Sequence, residues 1–187
     1  METLLTSIGI VALAEIGDKT QLLAILLAAR FRQPLPIIAG IFTATMLNHA
    51  LAAAAGFYVA QFLSGQGFRI AVGVAFIAMA AWTLVPDKAD DLKHRSGGSV
   101  FVTTLVAFFF VEIGDKTQIA TSLLAARFHD ILLVAAGTTL GMMLANVPAV
   151  LFGEAATKVV PLRYIRIAAA IVFAALGLWV LIDALRA

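Results

Sequence analysis

The chain has 187 residues, of which 62% are hydrophobic and 13% are charged, with a formal net charge of +2 and no cysteine. Soluble domains average about 45–50% apolar and about 25% charged residues, so this composition indicates an integral membrane protein with one membrane domain. The small net charge gives no indication of a nucleic-acid partner, and the lack of cysteine excludes disulfides, thiolate metal sites and cysteine nucleophiles.

Six apolar segments follow one another along the chain. They cover residues 4–29, 34–62, 70–85, 100–126, 131–153 and 167–182. A helix needs about 20 residues to cross a bilayer and about 17 is near the lower limit, so the third and sixth segments are the shortest. The first segment resembles a signal peptide, but no basic residue precedes it, so we expect it to be retained. The sequence therefore predicts an all-α membrane protein with six transmembrane helices.

The chain consists of two repeats that are related by a constant offset of 97 residues. Between Glu15 and Phe31, 13 of 17 positions are identical to their partners in the second repeat. The predicted organisation is a first three-helix repeat over residues 1–86, a loop over 87–99 and a second three-helix repeat over 100–187. Because three is an odd number, the two repeats must enter the membrane from opposite sides, which is the inverted-repeat arrangement.

Lysine and arginine are distributed unequally between the predicted loops. The first, third and fifth loops hold eight of them, whereas the even loops and the C-terminal segment hold three. Cytoplasmic loops carry an excess of these residues, which places the central loop in the cytoplasm and both termini outside. The expected location is the cytoplasmic (inner) membrane of the cell, with a multi-pass topology.

One heptapeptide, EIGDKTQ, occurs in both repeats, at residues 15–21 and 112–118, inside predicted membrane spans. Charged groups at the centre of a membrane helix cost about 2.5–3.5 kcal/mol each on insertion scales, so their presence indicates a functional site. On a continuous helix, residues three and four apart share a face. We therefore expect Glu15 to point the same way as Asp18, with Lys19 close to Glu15, Gln21 beside Asp18, and Thr20 on the far side, bonded to its own backbone.

The inverted arrangement brings the two motifs to a similar depth, where four carboxylates converge. The predicted metal ligands are Glu15, Asp18, Glu112 and Asp115. Two acids and one base per motif give the pair of motifs a net charge of −2, which a divalent cation neutralises, and carboxylate oxygens suit Ca²⁺, Mg²⁺ and Mn²⁺. Since a carboxylate that binds a cation also binds a proton, protons compete with the metal, which is the minimum requirement for cation/proton exchange.

Other polar residues are expected to support this site. They are Lys19, Lys116, Gln21, Gln118, Asn48 and Asn146. The two asparagines are candidates for auxiliary ligands or for hydrogen bonds between helices, and packing is the favoured role for the neighbouring His49. Met46 and Met143 are interpreted as filler rather than as soft ligands. In the alternative, purely structural interpretation, each motif glutamate forms an ion pair with the lysine four residues later, and the motif aspartates are left without partners.

Two motifs of the form E-x-G-D-K-T in two three-helix repeats resemble the GDT-type membrane protein family, and the resemblance covers essentially the whole chain. This family includes a bacterial manganese exporter and the Golgi and thylakoid Ca²⁺/Mn²⁺–proton exchangers. The resemblance implies a secondary transporter that exports Mn²⁺, with Ca²⁺ as the other candidate ion, in exchange for protons. It also implies that the four motif acids bind the ion, that no prosthetic group is needed and that the protein is not an enzyme.

Two other functions remain as alternatives to an exchanger. One is a passive channel for divalent cations, and the other is a Mg²⁺-dependent membrane enzyme that acts on phosphate or diphosphate lipids. Such an enzyme needs a cationic pocket for the phosphates, whereas the basic residues outside the motifs are confined to loops and helix ends. The expected partners are the divalent cation, protons and the lipid bilayer, without nucleic acid; a homodimer is one option that the sequence leaves open.

Overall fold

The computed structural model describes residues 1–63, 65–85, 99–153 and 162–186. Of the predicted loop over 87–99, all but Ser99 lies outside these residues. Within the described ranges the chain is helical and contains no strand. The eight helices are α1 (Glu2–Glu15), α2 (Lys19–Phe31), α3 (Pro34–Phe62), α4 (Gln66–Thr83), α5 (Val100–Glu112), α6 (Lys116–Phe128), α7 (Ile131–Phe152) and α8 (Leu162–Arg186).

Four of these helices, α3, α4, α7 and α8, are long and apolar enough to cross a membrane. Their outer surfaces carry exposed apolar side chains such as Leu51, Val74, Leu144 and Ile171. Large exposed apolar surfaces are rare on soluble monomers, but they match the hydrocarbon of a bilayer. The helices and their apolar surfaces therefore agree with the prediction of an all-α membrane protein.

The first and fourth predicted spans are each interrupted at the motif. Gly17, between α1 and α2, has φ +81°, and Gly114, between α5 and α6, has φ +74°. The Gly17 N–H donates to Gln21 Oε1 at 2.8 Å, and the Gly114 N–H donates to the equivalent Gln118 Oε1 at 2.7 Å. Neither motif therefore continues a single helix, so helical spacing does not set which motif side chains face each other; the chain is locally unwound at the glycine, an option that this residue type allows. Glycine tolerates the left-handed conformation, and a side-chain amide accepts the bond that a helical carbonyl would have accepted.

We expect Gly114→Ala to lower the stability of the protein by about 1–2 kcal/mol, because the left-handed conformation is strained by about this amount for an L-residue with a Cβ atom. An added Cβ would have no atom within 4 Å, so the effect isolates the backbone conformation from packing. Thermal unfolding in detergent measures the loss. Gly67→Ala is the control, since Gly67 also has open space around it but lies within helix α4. Equal melting temperatures for the two variants would contradict the assigned strain.

The two repeats also share the way in which the helix after the break ends. Arg32, with φ +52°, is the C-cap residue of α2, and His129, with φ +53°, is the C-cap residue of α6. In each case the backbone N–H of this left-handed residue donates to a carbonyl four residues earlier, that of Ala28 or Ala125, at 2.9 Å. The duplication found in the sequence therefore extends to backbone conformations.

The long helices α3 and α7 each pack against the interrupted helices of the other repeat. Gly137 of α7 lies against Leu4 and Ser7 of α1, and farther along α7 Gly141 lies against Ile8 and Ala12. Because the contact moves toward the C-terminal end of both helices at once, α1 and α7 run in the same direction.

The equivalent pair, α3 and α5, packs in the same manner. Gly40 of α3 lies against Phe101 and Thr104 of α5, and Asn48, two turns later, contacts Phe109. Helices α3 and α5 therefore also run in the same direction. Glycine at the contact lets the backbones of such membrane helices approach closely.

Helices α4 and α8 pack together in opposite directions. Arg69, near the start of α4, contacts Asp183, near the end of α8, whereas Gly73 lies against Gly177. The contact between these two glycines continues into the stacked rings of Phe76 and Phe173, whose centroids are 6.5 Å apart. The last helix of each repeat thus packs against its own counterpart, as expected for an axis of pseudo-symmetry between the repeats.

Candidate metal site at the two helix breaks

Three carboxylates meet where the two helix breaks face each other. Glu15, Asp18 and Asp115 each offer an oxygen, and these three oxygens lie within 4.8 Å of one another. Two oxygen ligands on opposite sides of an ion, each about 2.1–2.6 Å from it, are about 4–5 Å apart. All three residues are almost completely buried. The spacing therefore fits a single divalent cation with hard oxygen ligands.

The helix breaks place these carboxylates at helix termini. Glu15 is the last residue of α1, and Asp18 and Asp115 occupy the N-cap positions of α2 and α6. Asp115 Oδ2 accepts hydrogen bonds from the backbone N–H of Thr117 at 3.4 Å and from its hydroxyl at 3.2 Å. The positive end of a helix favours an anionic side chain, so the start of each new helix is a suitable position for an aspartate.

Each motif lysine pairs with the aspartate of the other repeat. Lys19 Nζ lies 2.9 Å from Asp115 Oδ1, and Lys116 Nζ lies 3.7 Å from Asp18 Oδ1. These ion pairs run between the repeats, so the alternative in which the motif aspartates have no partners is wrong, whereas the predicted proximity of Lys19 to Glu15 stays a prediction. The interruption of the helix removes the geometry in which residues four apart face each other. The aspartates, which that alternative left without partners, carry the ion pairs between the repeats.

The fourth predicted ligand, Glu112, is held beside the cluster rather than within the group of three. Thr45 Oγ1 donates to Glu112 Oε1 at 2.6 Å, and Asn48 Nδ2 donates to Glu112 Oε2 at 3.0 Å. Asn48 also donates to the backbone carbonyl of Phe109 at 3.0 Å. Both carboxylate oxygens of Glu112 are therefore occupied by donors from α3. Asn48, predicted as a supporting residue, thus contacts a motif glutamate.

Thr45 is a site residue that the sequence analysis missed. It precedes Asn48 by three residues on the same helix, and residues at this spacing share a face. Spacing from Asn48 was therefore the signal that could have identified it. A threonine in a membrane helix gives little indication by itself, because its hydroxyl commonly bonds the backbone of its own helix.

Glu15 has a different environment from its repeat partner. Asn146 Nδ2 donates to Glu15 Oε1 at 3.2 Å and also contacts Met142 Sδ at 3.1 Å. Among the described residues, none forms a hydrogen bond with Glu15 Oε2. The two glutamates differ because the repeat offset aligns Thr45 with Met142. Each oxygen of Glu112 thus accepts a hydrogen bond, whereas Glu15 has one oxygen that accepts none from the described residues.

The motif glutamines support the backbone of the breaks. Besides accepting the Gly17 N–H, Gln21 donates through Nε2 to the carbonyl of Ala145 at 3.0 Å, which ties α2 to α7. The prediction that Gln21 lies beside Asp18 on one helical face is therefore replaced by a structural role. Thr20 is also not bonded to its own backbone as predicted. Its buried hydroxyl has no hydrogen-bond partner in the described part of the chain.

Two residues near the site have little polar contact. His49 is fully buried, and neither ring nitrogen forms a hydrogen bond with a described residue, which fits the favoured packing role. Met46, considered as a soft ligand and interpreted as filler, is substantially exposed on the outer face of α3. The buried methionine beside the cluster is instead Met142, which is adjacent in sequence to the predicted Met143.

We expect Thr45→Val to destabilise the protein by about 1.5–3 kcal/mol, because it removes one of the donors to a buried carboxylate. Thr43→Val on the same helix is the matched control, since Thr43 Oγ1 donates only to the carbonyl of Ala39 on an exposed face. Thermal unfolding of both purified variants measures the difference. A Thr45 variant as stable as the Thr43 variant would contradict this role.

Comparison with known proteins agrees with a transport site. The profile of the family described as "Divalent cation/proton antiporter GDT1" matches residues 3–91 and 100–187. The chain is 55% identical over 167 residues to a Vibrio cholerae serotype O1 protein named "Putative manganese exporter", covering 89% of this chain and 84% of that relative. No solved structure matches the chain.

Proposed function

The chain belongs to the divalent cation/proton antiporter GDT1 family, and from this premise we propose that it exports Mn²⁺ in exchange for protons. Membership of this family makes the protein a cation transporter and not an enzyme. The name of the Vibrio cholerae relative supports Mn²⁺ as the ion. The observation that carries the proposed site is the group formed by Glu15, Asp18 and Asp115, three buried carboxylates contributed by both helix breaks.

The donor set suits this cargo. Carboxylate, carbonyl and water oxygens are preferred by Mn²⁺ and Ca²⁺, and interrupted membrane helices commonly form ion sites at their half-helix ends. Glu112 is proposed as the fourth acid of the site, adjacent to the three ligands and held by α3. It interacts electrostatically with both Asp115 and Lys19. Four acids and two lysines give a net charge of −2, which one divalent cation balances.

The lysines are proposed to act as internal counter-charges. In the arrangement described, the Lys19 and Lys116 ammonium groups contact the two aspartates. A divalent cation that takes these carboxylates as ligands must weaken or replace both contacts. Since the two ion pairs join the repeats, replacing them by a metal changes the forces between the repeats. This coupling provides a physical route from ion binding to movement of one repeat against the other.

The proposed topology is six spans in two inverted repeats, with α1 and α2 together forming the first span and α5 and α6 together forming the fourth. The helix directions support it. In such a topology the first and fifth spans run the same way, as do the second and fourth, whereas the third and sixth oppose each other. The parallel contacts of α1 with α7 and α3 with α5, and the antiparallel contact of α4 with α8, follow this pattern.

The proposed orientation places the central loop in the cytoplasm and both termini outside. It rests on the excess of lysine and arginine in the odd-numbered loops. The model requires the second loop, the fourth loop and the C-terminal end to lie on one side. Gly65, His129 and Asp183, which come from these three places, line one cavity, which supports their common side; the charge bias alone sets which side that is.

The test is Mn²⁺ flux into proteoliposomes with an acidic interior and an alkaline exterior. An exchanger moves Mn²⁺ inward as protons leave, so we expect accumulation above the external concentration, and collapse of the pH gradient should abolish it. Acidification of both sides should lower the affinity for Mn²⁺, because protons compete for the same carboxylates. Flux that ignores the pH gradient would indicate a passive channel and would contradict the proposal.

A further inference from the structure

A second charged cluster lies far from the metal site, where α4 begins and where α6 and α8 end. Asp183 Oδ2 accepts from Arg69 Nη2 at 2.5 Å and lies 3.5 Å from Arg127 Nη2. These residues and His129 line a cavity of about 380 Å³. Two guanidinium groups share one carboxylate, so the cluster retains a net positive charge.

Arg127 is held in place without using all of its donors. Its guanidinium lies 4.3 Å from the ring centroid of Trp179, and such stacking fixes the plane of the group. The buried Nε of Arg127 has no hydrogen-bond partner among the described residues. A tryptophan at this position also marks the depth of the lipid headgroups, where tryptophan is enriched in membrane proteins. The cavity thus contains an arginine of fixed orientation that still has an N–H donor free of hydrogen bonds to the described residues.

An apolar cavity of about 280 Å³ continues from the charged one. The two share Phe68, Val72 and Ala126, and the apolar part extends along the cleft to Ala55 and Val59. The charged cavity at the helix ends therefore opens into an apolar channel along the same helices. A ligand that fills both cavities must have an anionic head and a hydrocarbon tail.

We propose that this cleft binds an anionic phospholipid, with the phosphate on Arg69 and Arg127 and one acyl chain in the apolar cavity. Basic pockets between membrane helices are suited to anionic headgroups, and planar guanidinium groups bind phosphate with two hydrogen bonds. The Arg69–Asp183 ion pair is about 40% exposed on each side. An exposed ion pair stabilises a protein by only about 0–1 kcal/mol, so a purely stabilising role does not explain why these charged residues are grouped here.

Asp183→Asn provides the sharpest test of this proposal. It removes the carboxylate that competes with a phosphate while both arginines remain. The measurement is retention of phosphatidylglycerol by the purified protein in detergent, followed by native mass spectrometry, with phosphatidylcholine as the comparison. We expect preferential retention of phosphatidylglycerol by the wild type and a several-fold increase for Asp183→Asn. If the cluster only ties helices together, that variant loses stability without gaining lipid, and the proposal is overturned.

Two further variants separate the headgroup from the chain. Arg69→Ala should reduce phosphatidylglycerol retention about tenfold, whereas Arg32→Ala, at an exposed helix end that does not line this cleft, should leave it unchanged. Ala55→Phe, at an exposed position of the apolar cavity, should weaken long-chain phosphatidylglycerol but not its six-carbon form. Equal retention of both lipids by the wild type would overturn the proposal. So would equal thermal stabilisation by inorganic phosphate, which would indicate a site for free anions.

Discussion

Asp115→Asn is expected to reduce proton-driven Mn²⁺ accumulation about 100-fold or more. Asp115 belongs to the group of three carboxylates and is also the partner of Lys19 at 2.9 Å. The substitution removes one charge from the metal site and breaks the ion pair between Asp115 and Lys19. Breaking a buried ion pair costs about 3–5 kcal/mol, and about 1.4 kcal/mol corresponds to a tenfold change. The measurement is Mn²⁺ uptake into proteoliposomes with an imposed pH gradient.

Asp130→Asn is the matched control for this substitution. Asp130 accepts the backbone N–H of Leu133 at the start of α7, outside the metal site, and asparagine can accept the same bond. Its transport should remain within about twofold of the wild type. Because Asp115→Asn could act by unfolding the protein, Asp115→Glu restores the charge and should recover part of the transport. Full activity of a folded Asp115→Asn protein would exclude Asp115 from the ion site.

Gly56→Ala is expected to destabilise the protein by about 3 kcal/mol, at the upper end of the usual range for overpacking. A Cβ at this position would lie 2.6 Å from the carbonyl carbon of Ser122 and would also overlap its oxygen. Helix α6 must therefore move away from α3. Such a shift strains the hydrogen bond in which Ser122 Oγ donates to the Ala52 carbonyl at 2.9 Å. Thermal unfolding in detergent measures the loss.

Gly9→Ala, the control for this substitution, should leave the stability unchanged or raise it slightly. Gly9 lies in the middle of α1, and a Cβ there would have no atom within 4 Å. Alanine in a helix interior is favoured over glycine by about 0.5–1 kcal/mol. If both variants melt at the wild-type temperature, the close contact between α3 and α6 is not required for stability.

The strongest signals in the sequence are local, and they were sufficient to predict which segments carry the candidate site. The repeat offset, the charged heptapeptide and the apolar segments are all visible without knowing which helices touch. Three of the four predicted ligands, Glu15, Asp18 and Asp115, are grouped in the structure. Asn48 and Asn146 could also be selected from the sequence, because an amide within an apolar span needs a hydrogen-bond partner, and each donates to a motif glutamate in the structure.

The remaining features depend on contacts between distant segments. A Gly beside an Asp is compatible with a continuous helix or with a break. In the structure the break is stabilised by the side chain of Gln21 or Gln118, whose amide oxygen accepts the hydrogen bond of the glycine N–H. The pairing of Lys19 with Asp115 requires the two breaks to face each other, which spacing along one helix does not reveal. The inequivalence of Glu15 and Glu112 depends on which face of α3 or α7 each one meets.

The exchange of ion-pair partners between the repeats has a consequence for biogenesis. While the first repeat is being inserted, the ion pairs of Asp18 with Lys116 and of Lys19 with Asp115 cannot yet form, because their partners lie in the second repeat. Nor are α5 and α7, the helices that cover α3 and α1, available at that stage. The first half therefore enters the bilayer as an intermediate in which Asp18 and Lys19 form these ion pairs only after the second half has been inserted. Successful synthesis requires this intermediate to persist in the membrane until translation of the chain is finished.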